Sequence, residues 1–272
     1  MAHYEAPWAC APVWQTPDPC IVVTLPNGLE LMAGGGSGAE FTLSSWDGWT
    51  NGPDVRGGAT AWESADGGIA GDVYLSGRNL VFEGLIKGRS GSHLWELQEE
   101  LGSVLTRERW GTLRVDEEHL GLSRQIEVAR GGRPTITPLT QQVARYQVQF
   151  QSYSPLRVGV DEQSATITPG AGTQVRNIGT MDANLYATLY GPLTDPAVTA
   201  GDTTWRYQST IPAGERRVVD FTRRRVVDPE TGANSRLLAT HGWPSIPPGE
   251  SRLSLGGTGT GRGEFSWRST WA

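Results

Sequence analysis

The residues best suited to chemistry are few. The densest carboxylate group is Asp116-Glu117-Glu118. Two carboxylates flanking a glycosidic bond are the equipment of a glycoside hydrolase. Adjacent acids on a strand or turn point in different directions, so this triplet reads as a solvated acidic turn. The sequence contains no Gly-x-Ser-x-Gly elbow and no Walker-type phosphate loop. Gly34-Gly35-Gly36-Ser37-Gly38 is glycine-rich, but no Lys follows and no helical pattern opens after it, so it reads as a flexible turn. Gly256 to Gly261 reads as a hairpin loop before the last strand. His3, His93, His119 and His241 are scattered, and no His/Cys pair has zinc spacing. Cys10 and Cys20 stand in a Pro-rich leader. A disulfide there would close only a short loop, and two free thiols of a protein made in a reducing cytosol fit better. No catalytic, metal-binding or cofactor-binding residue emerges, and the chain reads as a non-enzyme.

What remains is suited to contact rather than reaction. Arg216, Arg217, Arg223, Arg224 and Arg225 could hold phosphate or an acidic partner, although alternating strands would project them to both faces. Trp205, Tyr207 and Trp243 would form a glycan-stacking platform if exposed, and core if not. Trp46, Trp49 and Trp62 lie in a Gly- and Pro-interrupted stretch from 46 to 71. A loop of that length is uncommon and usually functional or disordered, and disordered segments rarely hold three tryptophans. The stretch reads as an extension ordered by a neighbouring subunit, or as a loop folded back over its own core.

The elements that must position these residues are strands. The chain has 272 residues, with 36 Gly, 17 Pro and 11 Trp. Such frequent Gly and Pro exclude a helical bundle, and the aromatics exclude disorder. In Val143 to Tyr153, Tyr146, Val148 and Phe150 alternate with Arg145, Gln147, Gln149 and Gln151, the pattern of a half-buried strand. Arg78 to Gly88 reads the same way, with Leu80, Phe82 and Ile86 on one face. Gly71 to Leu75 is expected to pair with it through a Ser76-Gly77 turn. Leu113 to Glu117 and Leu120 to Arg130 form another strand pair around His119. One helix is expected, capped by Ser92, with Leu94, Leu97, Leu101 and Val104/Leu105 at helical spacing. After Ser154-Pro155-Leu156 come seven or more short strands with dense turn signals, which suggests a β-sandwich. The domains are therefore expected at 1–155, carrying the loop 46–71, and 156–272.

Charge divides at the same place. Residues 1–155 hold 18 acids and 11 bases, and residues 156–272 hold 11 acids and 12 bases. The net charge of -6 argues against nucleic-acid binding as the main task. No apolar run is long enough to span a membrane, and Met1 to Gln15 lacks the layout of a signal peptide. Lys occurs once, at Lys87, against 22 Arg, as in a GC-rich genome.

The second half resembles a known family. Leu185 to Tyr190 runs into Gly191-Pro192-Leu193-Thr194-Asp195-Pro196, followed by Ile211-Pro212-Ala213-Gly214-Glu215 and Val218-Val219-Asp220. Then come Gly232-Ala233-Asn234-Ser235-Arg236, Trp243, Ile246-Pro247-Pro248-Gly249-Glu250-Ser251, and a final strand with Trp267 and Trp271. This order is similar to the C-terminal domain of siphophage distal tail proteins, and the first half matches them in layout. The Arg-rich, Lys-poor composition suits a minor tail protein of an actinophage. The resemblance implies a mainly β chain: an N-terminal split β-barrel with one helix, and a C-terminal galectin-like β-sandwich. It implies a homohexameric ring at the virion tail tip, made in the bacterial cytoplasm. The ring would join the tail-tube protein to the tip hub or tail-associated protein, around the channel used by the tape-measure protein and the DNA. DNA would only pass through. The competing reading is a carbohydrate-binding module acting in host cell-wall recognition. The leader with Cys10 and Cys20 has no counterpart in the family pattern.

Overall fold

The alternation in two long strands sets the first half of the molecule. In the computed structural model, which describes residues 21–33, 38–58, 60–61, 66, 68–69, 71–106, 109–236, 239–240 and 242–272, Leu80, Phe82, Ile86, Tyr146, Val148 and Phe150 are all buried. They belong to β8 (Arg78–Lys87) and β12 (Val143–Ser152), which pair antiparallel over ten positions, from Val143↔Lys87 to Ser152↔Arg78. The Phe82 and Phe150 rings meet at 6.2 Å. Opposed residues share one face, so both apolar sets point into one core.

The chain reaches this pair through β1 (Ile21–Thr24), β2 (Glu30–Ala33) and β3 (Phe41–Asp47). After it come β9 (Gly111–Glu117), β10 (Leu122–Arg130) and β11 (Thr135–Pro138). The order β12-β8-β3-β2-β1-β9-β10 closes on itself through Ala129↔Gln151 and Arg130↔Phe150, a closed seven-stranded barrel. All barrel pairs are antiparallel except β2 with β3. Gly84 is required where β3 crosses β8, because an added Cβ would lie 1.7 Å from the Thr42 carbonyl.

Helix α1 (Gly91–Ser103) follows β8 and buries Leu94, Leu97 and Leu101 against the barrel. Its cap is Ser90, two residues before the expected Ser92: the Ser90 hydroxyl accepts from the His93 N–H at 3.1 Å. Such a cap stabilises by about 1 kcal/mol. The expected hairpin between Gly71–Leu75 and β8 does not form. β7 (Val73–Leu75) pairs instead with β4 (Val55–Gly57), and Ser76-Gly77 carries the chain from that ribbon into the barrel. β5 (Thr60–Ala61) and β6 (Gly68–Ile69) continue the ribbon outward.

Contacts divide the chain into two units, Met1–Arg157 with Ala272, and Val158–Trp271. The strand β13 (Arg157–Gly159) crosses the division. The second unit holds two five-stranded antiparallel sheets. One is ordered β14 (Gln163–Ile167), β23 (Arg262–Trp267), β16 (Leu185–Tyr190), β20 (Arg216–Asp220), β21 (Arg225–Val227). The other is ordered β15 (Gly172–Asn177), β22 (Gly249–Thr258), β17 (Leu193–Ala200), β18 (Thr203–Arg206), with β19 (Thr210–Ile211) also on β17. The chain ends in β24 (Thr270–Trp271). Leu185, Leu189, Val198, Trp205, Val219, Leu253 and Phe265 fill the core of this unit. Gly256 to Thr258 belong to β22, so the hairpin turn is confined to Gly259–Gly261.

Candidate assembly interface

The stretch 46–71 is a β-ribbon arm with a buried root. At the root, Gly48 has φ +78°, and a Cβ there would meet the Asn79 carbonyl at 1.9 Å, so only glycine fits. The Asp47 carboxylate accepts from the Gly48 N–H at 2.9 Å and from the Asn51 side-chain amide at 3.1 Å. Arg78, buried at the start of β8, donates to three carbonyls: Pro155 at 2.7 Å, Gly48 at 2.9 Å and Asn51 at 2.6 Å. Burial, and secondarily the charge of Arg124, hold its pKa below the usual arginine value.

Trp49 has no exposed surface and belongs to the core of its own barrel. The guanidinium of Arg157 lies 5.3 Å from its ring centroid, and that of Arg124 5.7 Å away. Arg124 in turn donates two hydrogen bonds to buried Glu117. Arg157 donates to the carbonyls of Trp49 and Ala272. Burial, then the like charges of Arg124 and Arg78, press the Arg157 pKa down to about 10, with Glu117 opposing. Trp49 Nε1, Arg78 Nη2 and Arg157 Nε have no acceptor among the described residues. A buried cluster of this kind is weak evidence for stability; what it does is hold the root in one position.

Beyond the root the arm is exposed. In the register Val55↔Leu75, Arg56↔Tyr74, Gly57↔Val73, one ribbon face carries Val55, Leu75 and Val73, and the other carries Arg56 and Tyr74. Val55 is 65% and Tyr74 56% exposed. Two strands alone are marginally stable in water, and exposed apolar groups clustered on one element mark a contact surface. Trp46 is half-buried and packs against the barrel core. Trp62 lies outside the described residues, as do Cys10 and Cys20.

The other expected sites are dispersed. Trp205 and Tyr207 are buried, stacked on one another at 6.2 Å, with Phe221 edge-on to Trp205 at 5.4 Å. Trp243 is partly buried against the same core, 6.0 Å from Trp205. A stacking platform needs an open ring face, and Trp205 and Tyr207 present none. Asp116 faces Arg114 and Ser123, Glu117 turns inward to Arg124, and Glu118 lies in a 3-10 turn, so the three acids diverge. Among the described residues no three His, Cys, Asp or Glu gather to hold a metal ion. Arg217 pairs with Glu215 at 2.8 Å and with Asp228 at 3.4 Å, while Arg216 and Arg225 stay exposed.

Sequence reading missed Arg78, Arg124 and Arg157. The signal for two of them is phase: Arg78 is in register with Leu80, Phe82 and Ile86, and Arg124 with Ile126 and Val128, on the inward face of each strand.

No protein-family model matches the chain, and no curated protein matches it. Among solved structures it is similar to the crystal structure of the SPP1 Dit (gp 19.1) protein, described as a paradigm of the hub adsorption apparatus in Gram-positive-infecting phages. That match has TM-score 0.68 and 17% identity, and covers 93% of this chain and 99% of that one. Matches to the phage P2 baseplate in its activated conformation have TM-score 0.46 at 11% identity with Ca, and 0.44 at 10% identity with Sr. They cover 92% of this chain in each case, and 97% and 98% of those chains. The chain therefore shares the fold of the SPP1 protein over nearly its whole length.

Proposed function

We propose that this protein is a structural subunit of a phage tail tip, and that six copies form a ring joining the tail tube to the tip hub. The fold it shares with SPP1 Dit along nearly the full length of both chains carries this reading. The exposed arm on a rigid root supports it, because a ring subunit needs a large self-interface. In this reading the barrel units form the ring, and the β-sandwich is galectin-like and projects outward. Its partners are the tail-tube protein, the tip hub and the tape-measure protein, and its place is the virion. The excess of acids in 1–155 suits a channel that conducts DNA without gripping it. An Arg-lined lumen in a ring structure overturns that last point.

Mass photometry and negative-stain imaging of the purified full chain test the ring: six-fold particles are expected, and a strict monomer that binds cell-wall glycan favours the carbohydrate-binding reading. The arm is tested by replacing residues 56–72 with a short linker. Deleting from 47 would also remove Trp49 and open the barrel core. The shortened chain should keep its fold and lose the ring.

A further inference from the structure

The structure points to a receiving site for the arm. Helix α1 and the segment linking β10 to β11 border an open cleft of about 740 Å³. Trp95 on the helix and Ile136 on β11 give it an apolar surface, and Arg130, Arg133 and Glu99 edge it. Trp95 is 65% exposed, an unusual position for a large aromatic in a free subunit. Arg133 is exposed, with no ion pair among the described residues.

We infer that this cleft is the dock for the β-ribbon arm of a second copy of the chain. The inference rests on the ring reading and names the surface that reading lacks. Shape and polarity correspond: the face with Val55, Val73 and Leu75 meets Trp95 and Ile136. Charge corresponds as well. The exposed acids of the arm are Asp54, Asp66 and Asp72, against one base, Arg56, whereas the cleft presents two arginines and one acid. Arm and cleft share no residue, so the contact is heterologous. Head-to-tail contacts of that kind generate rings when the rotation closes and filaments when it does not. A self-complementary patch would stop at a dimer.

The test uses the full chain with Cys10→Ser and Cys20→Ser, carrying Val73→Cys on the arm and Ser103→Cys in the cleft. Oxidation should give a denaturing-gel ladder ending at six chains. Cross-linked open polymers or dimers would uphold the dock and overturn the six-fold reading. Six-fold particles without a cross-link, or with an intramolecular one only, would overturn the dock and leave the ring standing. Monomers without a cross-link would overturn both. In the parent chain, Trp95→Ala should raise the concentration at half-assembly by roughly tenfold or more, as for a buried aromatic anchor. Arg133→Glu and Asp72→Arg should each weaken assembly, and the double exchange should restore it. Assembly indifferent to all three changes overturns the dock.

Discussion

Arg157 stands over the indole of Trp49, 5.3 Å from its centroid, and donates to the carbonyl of the same residue. One side chain thus holds both the ring and the backbone of a tryptophan 108 positions earlier. Trp49→Ala removes the ring from a closed core and leaves two guanidinium groups without it. It should cost about 3–5 kcal/mol, read as a shift in the urea midpoint. A loss below about 1 kcal/mol would mean that the ring is not part of the core.

Arg78 fixes the other side of the arm root. Arg78→Met leaves the carbonyls of Gly48, Asn51 and Pro155 without their donor, and relief of one buried charge offsets part of that loss. A net destabilisation of about 1–3 kcal/mol is expected. Hydrogen exchange should quicken at residues 48–53 before it does in β8 or β12. Uniform quickening throughout the barrel would contradict a local role.

Gly84 has no room for a side chain. Gly84→Ala brings a methyl to 1.7 Å from the Thr42 carbonyl and 2.8 Å from the Tyr146 hydroxyl. The β3–β8 pairing must then separate, costing about 3 kcal/mol or more. Thermal unfolding of this variant should fall well below that of Gly102→Ala, where an added Cβ meets nothing within 4 Å.

Tyr146 makes the barrel sensitive to alkali. Burial raises its pKa above the ordinary value of 10.0, and its hydroxyl donates to the Thr42 carbonyl at 3.0 Å. The folded state keeps this proton when the unfolded state has begun to lose it. Stability is therefore fully present below pH 10 and falls as pH rises beyond it. Tyr146→Phe should lose about 1 kcal/mol at neutral pH and show a shallower decline above pH 10. Identical alkaline slopes would remove Tyr146 as the cause.

Where the environment of a residue is set by its near neighbours, the sequence was readable. Tyr146, Val148 and Phe150 declare an inward face by period two, and Leu94, Leu97 and Leu101 declare a helix stripe. The arm was not readable as a ribbon, because Val55–Gly57 and Val73–Leu75 are short and lie on either side of Gly-rich turns. The pairing that makes them strands spans 18 residues. The burial of Trp49 depends on Arg124 and Arg157, far along the chain, so no local pattern separates it from half-buried Trp46. Trp205 and Tyr207 alternate with polar neighbours, as either core or platform residues would. Only the closure of two sheets decides between the two.

β8 leads directly from the arm into a ladder of ten residue pairs with β12, and borders β3 on its other edge. A pull on the arm along the strand axis therefore stresses many cross-strand hydrogen bonds at once, in shear. Peeling them one by one would require a sideways force. The root is in this sense a mechanical coupling: tension entering at Arg78 is distributed over the barrel wall before it reaches the helix at the far end of the same strand.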